Sequence, residues 1–430
     1  MVHLSSFDVA ALLVVTAALL GYLNHHILRL PHVIGLTVMG ALVAIGLLVV
    51  NAFIPGVSLD DWVANILSQL DFSQTLLQGM LSFLLFAGAL HVDLDRLKKD
   101  WLPVVLLSTV GVLISTVLVG GALYGVALAA HLPLPAIWCF VFGALISPTD
   151  PVSVLGILKE KAVPPSLQAV VAGESLFNDG VGIVVFLILL GAAVTGTEFS
   201  IAEGARLFAE EAGGGVLLGI VIGWLGFKGL RSMDEYALEV LITIAVVMGG
   251  YAIAEPLHVS GPIAMAVAGL LIGNYGVTYA MSDMTRDYVI KFWELIDETL
   301  NSILFLLIGL EVLAIVPHRN HLLIAAAAVP IALGARWIAV RASLIVVPRA
   351  EVACHDSRPV LVWGGLRGGI SIALALSLPE GPVRNLLLAA TFAVVLFSVL
   401  VQRATLNPFI ERAKRAANRT DPDPSAASGE

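Results

Sequence analysis

The sequence predicts an all-α polytopic membrane protein of about 13 transmembrane helices, and three observations support this fold class. The 430-residue chain is 58% hydrophobic and only 13% charged, against about 25% charged residues in soluble domains. Apolar segments recur along the whole chain, and each can supply the roughly 20 helical residues that cross a bilayer. Lys and Arg are distributed very unevenly between alternate connecting loops.

Thirteen segments are predicted to cross the membrane, and this odd number places the two chain ends on opposite sides. The segments are 8–24, 31–50, 72–90, 102–130, 135–158, 167–195, 204–227, 236–254, 260–276, 288–316, 321–347, 359–379 and 384–410. With the N-terminus outside, 17 of the 23 basic residues fall in inner loops or near the C-terminus, as the positive-inside rule requires. We therefore expect an integral protein of the bacterial inner (plasma) membrane, with the C-terminus cytoplasmic.

Two of the segments contain breaks. Segment 135–158 carries Ser147-Pro148-Thr149-Asp150-Pro151 near its middle, where each proline removes a backbone donor. Thr149 or Asp150 can cap a new half-helix, with Pro151 in its first turn. Segment 359–379 carries Gly364-Gly365-Leu366-Arg367-Gly368-Gly369, in which four glycines surround one arginine.

The two breaks lie seven segments apart, which predicts two inverted six-helix repeats with broken helices five and twelve. The repeats are 8–195 and 236–410, joined by segment 204–227, within a transmembrane domain at 1–411. Paired broken helices in inverted halves are typical of the substrate site of secondary transporters. Residues 412–430 are predicted to be a short disordered cytoplasmic tail. The row Gly215, Gly219 and Gly223 is interpreted as packing within the bundle, with a dimer face as the alternative.

The run Gly173-Glu174-Ser175-Leu176-Phe177-Asn178-Asp179-Gly180 places two carboxylates inside an apolar segment. Such residues are costly in hydrocarbon and usually functional. Ser175 and Asp179 are four residues apart and share a helix face. They can offer hard oxygens to one small cation, and Thr149 and Asp150 can complete its shell. Asp179 is therefore interpreted as an ion or proton site, and the residues grouped with it as candidate cation- or proton-binding residues are Asp150, Thr149, Ser175 and Asn178.

The other charged residues of the segments have structural interpretations. Arg367 is predicted to pair with Glu174, because a buried charge needs a partner. Asp150 is equally well explained as a helix cap. Arg336 and Arg341 are expected to bind inward-facing groups or to reach the inner interface, and Glu298 to have a structural role or to line the route of the ion.

Several long motifs carry a resemblance to a known family. They are 143–152, 173–180, Ser260-Gly261-Pro262 with 269–274, 292–298 and 363–369. In these motifs the chain resembles monovalent cation:proton antiporters of the NhaP and Na+/H+ exchanger type. The resemblance implies a homodimer that exchanges Na+ (or Li+) for H+ by an elevator-like movement. It also implies cation ligation at Thr149, Ser175 and Asp179 with Asp150 nearby, and an ion pair between Glu174 and Arg367.

One cation and one proton competing for Asp179 would give alternating-access exchange that is electroneutral and 1:1. Asn178, the residue before Asp179, cannot take a second proton, although titration of Asp150 would change the stoichiometry. The alternatives are a K+/H+ antiporter of the same fold and, remotely, an intramembrane aspartyl protease using Asp150 and Asp179. We expect no enzymatic activity, no cofactor and no nucleic-acid partner. The expected partners are the transported ions, the lipid bilayer and a second copy of the chain.

Overall fold

A computed structural model describes residues 6–53, 80–150, 165–196, 200–310, 319–347 and 357–420, with positions 154, 157, 158, 161 and 163. All regular structure in these ranges is helical. The helices are α1 Ser6–Leu23, α2 His32–Phe53, α3 Leu81–Leu90, α4 Leu94–Lys99, α5 Trp101–Ala129, α6 Ala136–Ile146, α7 Pro165–Thr195, α8 Ile201–Arg231, α9 Tyr236–Ala254, α10 Gly261–Tyr279, α11 Asp283–Leu310, α12 Arg319–Ser343, α13 Arg358–Trp363, α14 Gly369–Leu376, α15 Pro382–Gln402 and α16 Asn407–Thr420.

The helices confirm the predicted all-α membrane fold. Within the described ranges, eight helices are long and apolar enough to cross a membrane, and shorter apolar helices add to them. Each of the thirteen predicted segments contains a helix where the structure describes it. The count of thirteen crossing helices and the inverted relation of the repeats stay predictions. Parts of segments 72–90, 135–158 and 288–316 lie outside the described residues.

Both predicted breaks are present. α6 ends at Ile146 and is followed by a non-helical stretch through Asp150, and residues 364–368 separate α13 from α14. α14 packs against α6, α11 and α15, while α7 packs against α6 and α10. This packing brings the two breaks together beside the polar run of α7.

The glycine row of α8 packs within the bundle, as predicted from its spacing. A Cβ at Gly215 would lie 2.7 Å from the Ser260 carbonyl oxygen, and one at Gly223 would lie 3.0 Å from Ala268 Cα. Both neighbours belong to α10 or its N-cap. The small residues therefore allow α8 and α10 to approach closely.

The prediction of a disordered tail from residue 412 is wrong for its first part. Residues 412–420 belong to α16, while 421–430 lie outside the described residues. Leu406, Ile410 and Ala413 are buried, and this i, i+4, i+7 spacing forms one apolar helix face. Phe409 adds a ring contact with Trp363, at 5.5 Å between centroids. The helix is thus held against the C-terminal end of α13.

Candidate ion-binding site

The backbone groups freed at the first break are satisfied from the second break. Pro148 has no amide hydrogen with which to continue α6. The carbonyls of Ser147 and Pro148 accept hydrogen bonds from the Arg367 guanidinium, the second at 2.8 Å. Polar backbone at membrane depth needs such partners, and a cation is favourable at the carbonyl end of a helix. Arg367 therefore joins the two broken helices.

The two breaks also cross directly at Asp150. Its backbone N–H donates to the Leu366 carbonyl at 2.8 Å. A Cβ on Gly368 would lie 2.6 Å from the Asp150 Cβ, so only glycine allows this approach without a shift. The predicted capping role of Asp150 and the place of Pro151 depend on residues 151–153, which lie outside the described part of the chain.

Asn178, on α7, forms three side-chain hydrogen bonds, and two of them hold the first break against this helix. Its side-chain amide donates to Thr149 Oγ1 at 2.7 Å and to Glu174 Oε1 at 3.1 Å. Its carbonyl oxygen accepts from the Thr149 backbone N–H at 3.2 Å. Thr149 Oγ1 is also 3.1 Å from Ser175 Oγ. The predicted residues Thr149, Ser175 and Asn178 therefore form one buried network.

The predicted partner of Glu174 is wrong, because Arg336 pairs with it in place of Arg367. Arg336 from α12 donates two parallel hydrogen bonds to the Glu174 carboxylate, at 2.6 and 2.8 Å. The two side chains are only 7% and 2% exposed. A third bond from Arg336 reaches the Leu361 carbonyl at 2.8 Å. The expectation that Arg336 binds an inward-facing group is met, while Arg367 is engaged by the carbonyls of the first break.

Asp179 faces a central cavity of about 460 Å³. Thr149, Asp150 and Asp179 contribute to its lining, and Ser175 and Asn178 contact Thr149. α11 contributes an acidic wall to the same cavity, with Glu294, Asp297 and Glu298. Glu298 thus lines the cavity, which agrees with its expected place along the route of the ion. Asp297 and Glu294 were not singled out from the sequence, although three acids at helical spacing in a membrane segment are a recognisable signal.

The Asp179 carboxylate has unused capacity to bind a ligand. Its side chain is 3% exposed, and Oδ1 has no hydrogen-bond partner among the described residues. Buried polar atoms are normally satisfied, so an exception at a cavity indicates a ligand or a proton. Asp179 is therefore the residue of this site best placed to hold a small cation.

The fold and the site together define a class of protein. Crossed broken helices beside a buried carboxylate, in a polytopic helical bundle, are the features of a secondary ion transporter. Residues 14–412 match the protein family described as "Sodium/hydrogen exchanger, transmembrane". This chain therefore belongs to that family and is an integral membrane protein. Its members are transporters and not enzymes, so the protease alternative is excluded. The transported ions are the family's substrates, and membership implies no cofactor.

Relatives and a solved structure agree with this membership. The chain is 46% identical over 410 residues to "Na(+)/H(+) antiporter NhaP" of Pseudomonas aeruginosa, covering 94% of this chain and 96% of the relative. It is 36% identical to "Na(+)/H(+) antiporter NhaH" of Halobacillus dabanensis, covering 86% and 91%. The fold is similar to that of the sodium proton antiporter MjNhaP1 from Methanocaldococcus jannaschii, with a TM-score of 0.72 at 19% identity over 93% and 96% of the two chains.

Proposed function

We propose that this chain exchanges Na+ (or Li+) for H+ across the membrane by alternating access. The observation that carries the proposal is the Asp179 carboxylate, which is buried, faces the cavity and has one oxygen without a partner in the described chain. One carboxylate can hold a cation or a proton, so the two compete. Na+ is the proposed cation because the relatives are named Na+/H+ antiporters.

Competition at a buried carboxylate couples the two ion fluxes. Loaded with either ion, the Asp179 group is neutral. The empty form carries a bare charge, which costs several kcal/mol in a low-dielectric environment. The empty protein therefore rarely switches between its outward-open and inward-open states. Each cation carried in one direction is thus followed by a proton carried in the other.

We assign cation ligation to Asp179 and Thr149. The Ser175 hydroxyl is hydrogen-bonded to that of Thr149, and Asp150 lines the cavity nearby. Asn178 is assigned a positioning role, because its three hydrogen bonds to Thr149 and Glu174 use both its amide group and its carbonyl oxygen to fix the site. Glu174 accepts a hydrogen bond from Asn178 and is itself held by Arg336, so this ion pair fixes the position of Asn178.

We infer that exchange is electroneutral, with one proton for each cation. Asn178 stands beside Asp179 in the chain, and an amide cannot take a second proton at that position. A cycle with two protons per cation would move net charge, and each charge is worth about 2.3 kcal/mol per 100 mV. A 1:1 cycle moves no net charge, so exchange should be insensitive to the membrane potential.

The central test is proton movement in sealed liposomes that contain the purified protein and a pH-sensitive dye. Sodium addition should dissipate an imposed proton gradient at the same rate with and without a clamped potential. Asp179→Asn should abolish exchange, because an amide holds neither a proton nor a cation at this site. Asp95→Asn is the control, since that side chain is 90% exposed on α4 and should leave exchange intact. Retained exchange in Asp179→Asn refutes the site.

Replacing Na+ by Li+ or K+ in the same liposomes tests the cation. Carboxylate and hydroxyl oxygens bind hard cations, and cavity size decides among them. We expect Na+ and Li+ to dissipate the gradient and K+ to be inactive. Activity with K+ alone would replace the proposal by K+/H+ exchange at the same carboxylate.

We further propose a bacterial plasma membrane location, with the N-terminus outside and the C-terminus cytoplasmic, and a homodimer. The distribution of Lys and Arg supports the orientation. Many large apolar side chains on α8 are exposed, among them Leu217, Val221 and Leu225, and such a face suits lipid or a second copy. Light scattering of the detergent-solubilised protein should give the mass of two chains, and a one-chain mass would contradict the dimer.

A further inference from the structure

Glu239 is a buried carboxylate that the exchange site does not use. It lies in the first turn of α9 and is 0% exposed. Neither of its carboxylate oxygens forms a hydrogen bond within the described chain, and none of the ion pairs found among the described residues includes it. A buried charge without a partner is strongly unfavourable, so something outside this set of contacts must neutralise Glu239.

The polar neighbours of Glu239 include residues at the N-terminus of α11 and in the loop before α9. The hydroxyl of Thr285, a residue that is 2% exposed, interacts favourably with the Glu239 carboxyl, whereas the negative charge of Asp234 repels it. Ser282 Oγ donates to Asp234 Oδ1 at 2.7 Å and lies 3.3 Å from Thr285 Oγ1. These three residues and Glu239 form what we term the α9–α11 oxygen cluster.

The basic and polar neighbours of this cluster are engaged elsewhere. Arg286 donates to the Val277 carbonyl at 3.0 Å and pairs with Asp283 at 3.3 Å. Thr243, one turn after Glu239, accepts from Trp293 Nε1 at 2.9 Å and donates to the Val240 carbonyl. A proton on Glu239 is the competing explanation, because the Thr285 hydroxyl beside the carboxyl could accept it, and the cation titration below separates the two. A cation would use the same oxygens directly.

We propose that the α9–α11 oxygen cluster binds a hard metal cation, with Glu239 and Thr285 as inner ligands and Ser282 and Asp234 towards the exposed edge. Carboxylate and hydroxyl oxygens without nitrogen or sulfur suit Na+, Mg2+ or Ca2+. The cation joins the loop before α9 to the first turn of α11. α11 also carries the acidic wall of the central cavity, so the bound cation fixes the inner end of that wall.

The test uses the full chain in detergent with the exchange site removed by Asp179→Asn. Thermal unfolding is followed while NaCl, MgCl2 or CaCl2 is added at constant ionic strength against choline chloride. At least one of the three cations should raise the melting temperature in a saturable way. Glu239→Gln in the same background should abolish the rise, whereas Glu235→Gln, at an exposed neighbour, should leave it unchanged.

Milder variants guard against a Glu239→Gln protein that fails to fold. Thr285→Val and Asp234→Asn should each increase the half-saturating cation concentration about tenfold, as loss of a metal-supporting group typically does. A melting temperature that depends on pH but on none of the three cations assigns a proton to Glu239 and overturns the proposal. So does a cation response that survives in Glu239→Gln, or one that Thr285→Val and Asp234→Asn both leave unchanged.

Discussion

Arg336 and Arg367 both lie in membrane segments but have different structural roles, which follow from the groups that they contact. Arg336 neutralises Glu174 through a two-point contact, which suits the planar guanidinium. Arg367 binds carbonyl oxygens and satisfies backbone that the Pro148 break leaves without partners. Glu174 in turn accepts from Asn178, so the Arg336 pair supports the residue that holds Thr149.

Breaking the Glu174–Arg336 pair should be costly, because it leaves a buried charge without a partner. We expect Glu174→Gln to lower the free energy of unfolding by about 3–5 kcal/mol, seen as a lower melting temperature in detergent. Glu174→Gln combined with Arg336→Met should recover part of this loss, since neither member of the pair then remains as a buried charge without its partner.

The matched control for this pairing is Glu174→Gln combined with Arg367→Met. It should stay at least as unstable as the single variant, because Arg367 contacts the Ser147 and Pro148 carbonyls and not Glu174. Recovery with Arg367→Met in place of Arg336→Met would contradict the pairing in the structure.

The sequence was sufficient to locate Asp179, because a carboxylate in an apolar segment is conspicuous wherever the helix packs. The choice of Arg367 over Arg336 as the partner of Glu174 was wrong, because both arginines lie in membrane segments and their depth and facing depend on helix packing. The role of Asn178 was hidden for a similar reason: its contact with Thr149 depends on how the first break folds back onto α7.

At the scale of the helix, the crossing of the two breaks is the most constrained feature. Prolines and clustered glycines predicted where α6 ends and where α13 and α14 separate, because both residue types act on their own backbone. The contact between the breaks joins residues more than 200 positions apart, and local sequence carries no signal for it. α16 was missed although Leu406, Ile410 and Ala413 had the helical spacing.

Gly368→Ala tests whether this crossing controls transport. The backbone of Gly368 has φ −120° and ψ −159°, which alanine adopts freely, so only the contact with Asp150 changes. The added methyl would lie 2.6 Å from Asp150 Cβ and 2.8 Å from Oδ2, and the breaks must move apart. We expect exchange in liposomes to fall about tenfold or more, since small misplacements of reacting groups are costly.

Gly249→Ala is the matched control, because a Cβ there meets nothing within 4 Å. It makes the same chemical change in a membrane helix and should leave exchange unchanged. Full exchange in Gly368→Ala would mean that the breaks tolerate separation, and the close approach at Asp150 would then have no part in transport.

At the scale of the whole molecule, the central cavity gathers carboxylates from elements far apart in the chain. Asp150 comes from the first break, Asp179 from α7, and Glu294, Asp297 and Glu298 from α11. A cavity lined by one sign of charge raises the local concentration of the opposite ion. The acidic wall thus favours cations over anions at the site, while the proposed exchange chemistry is confined to the carboxylate without a partner.

This arrangement predicts how pH should change the apparent affinity for Na+. Isotopic Na+/Na+ exchange in liposomes, with equal pH on both sides, reports occupancy of the site without a proton gradient. Protons compete for Asp179, so the half-saturating Na+ concentration should rise as pH falls. Where the proton is the stronger competitor, one proton per cation gives about a tenfold rise per pH unit, and two protons give about a hundredfold rise. We expect the tenfold dependence, because Asn178 cannot titrate. A hundredfold dependence that becomes tenfold in Asp150→Asn would identify Asp150 as a second proton carrier and would make the exchange electrogenic.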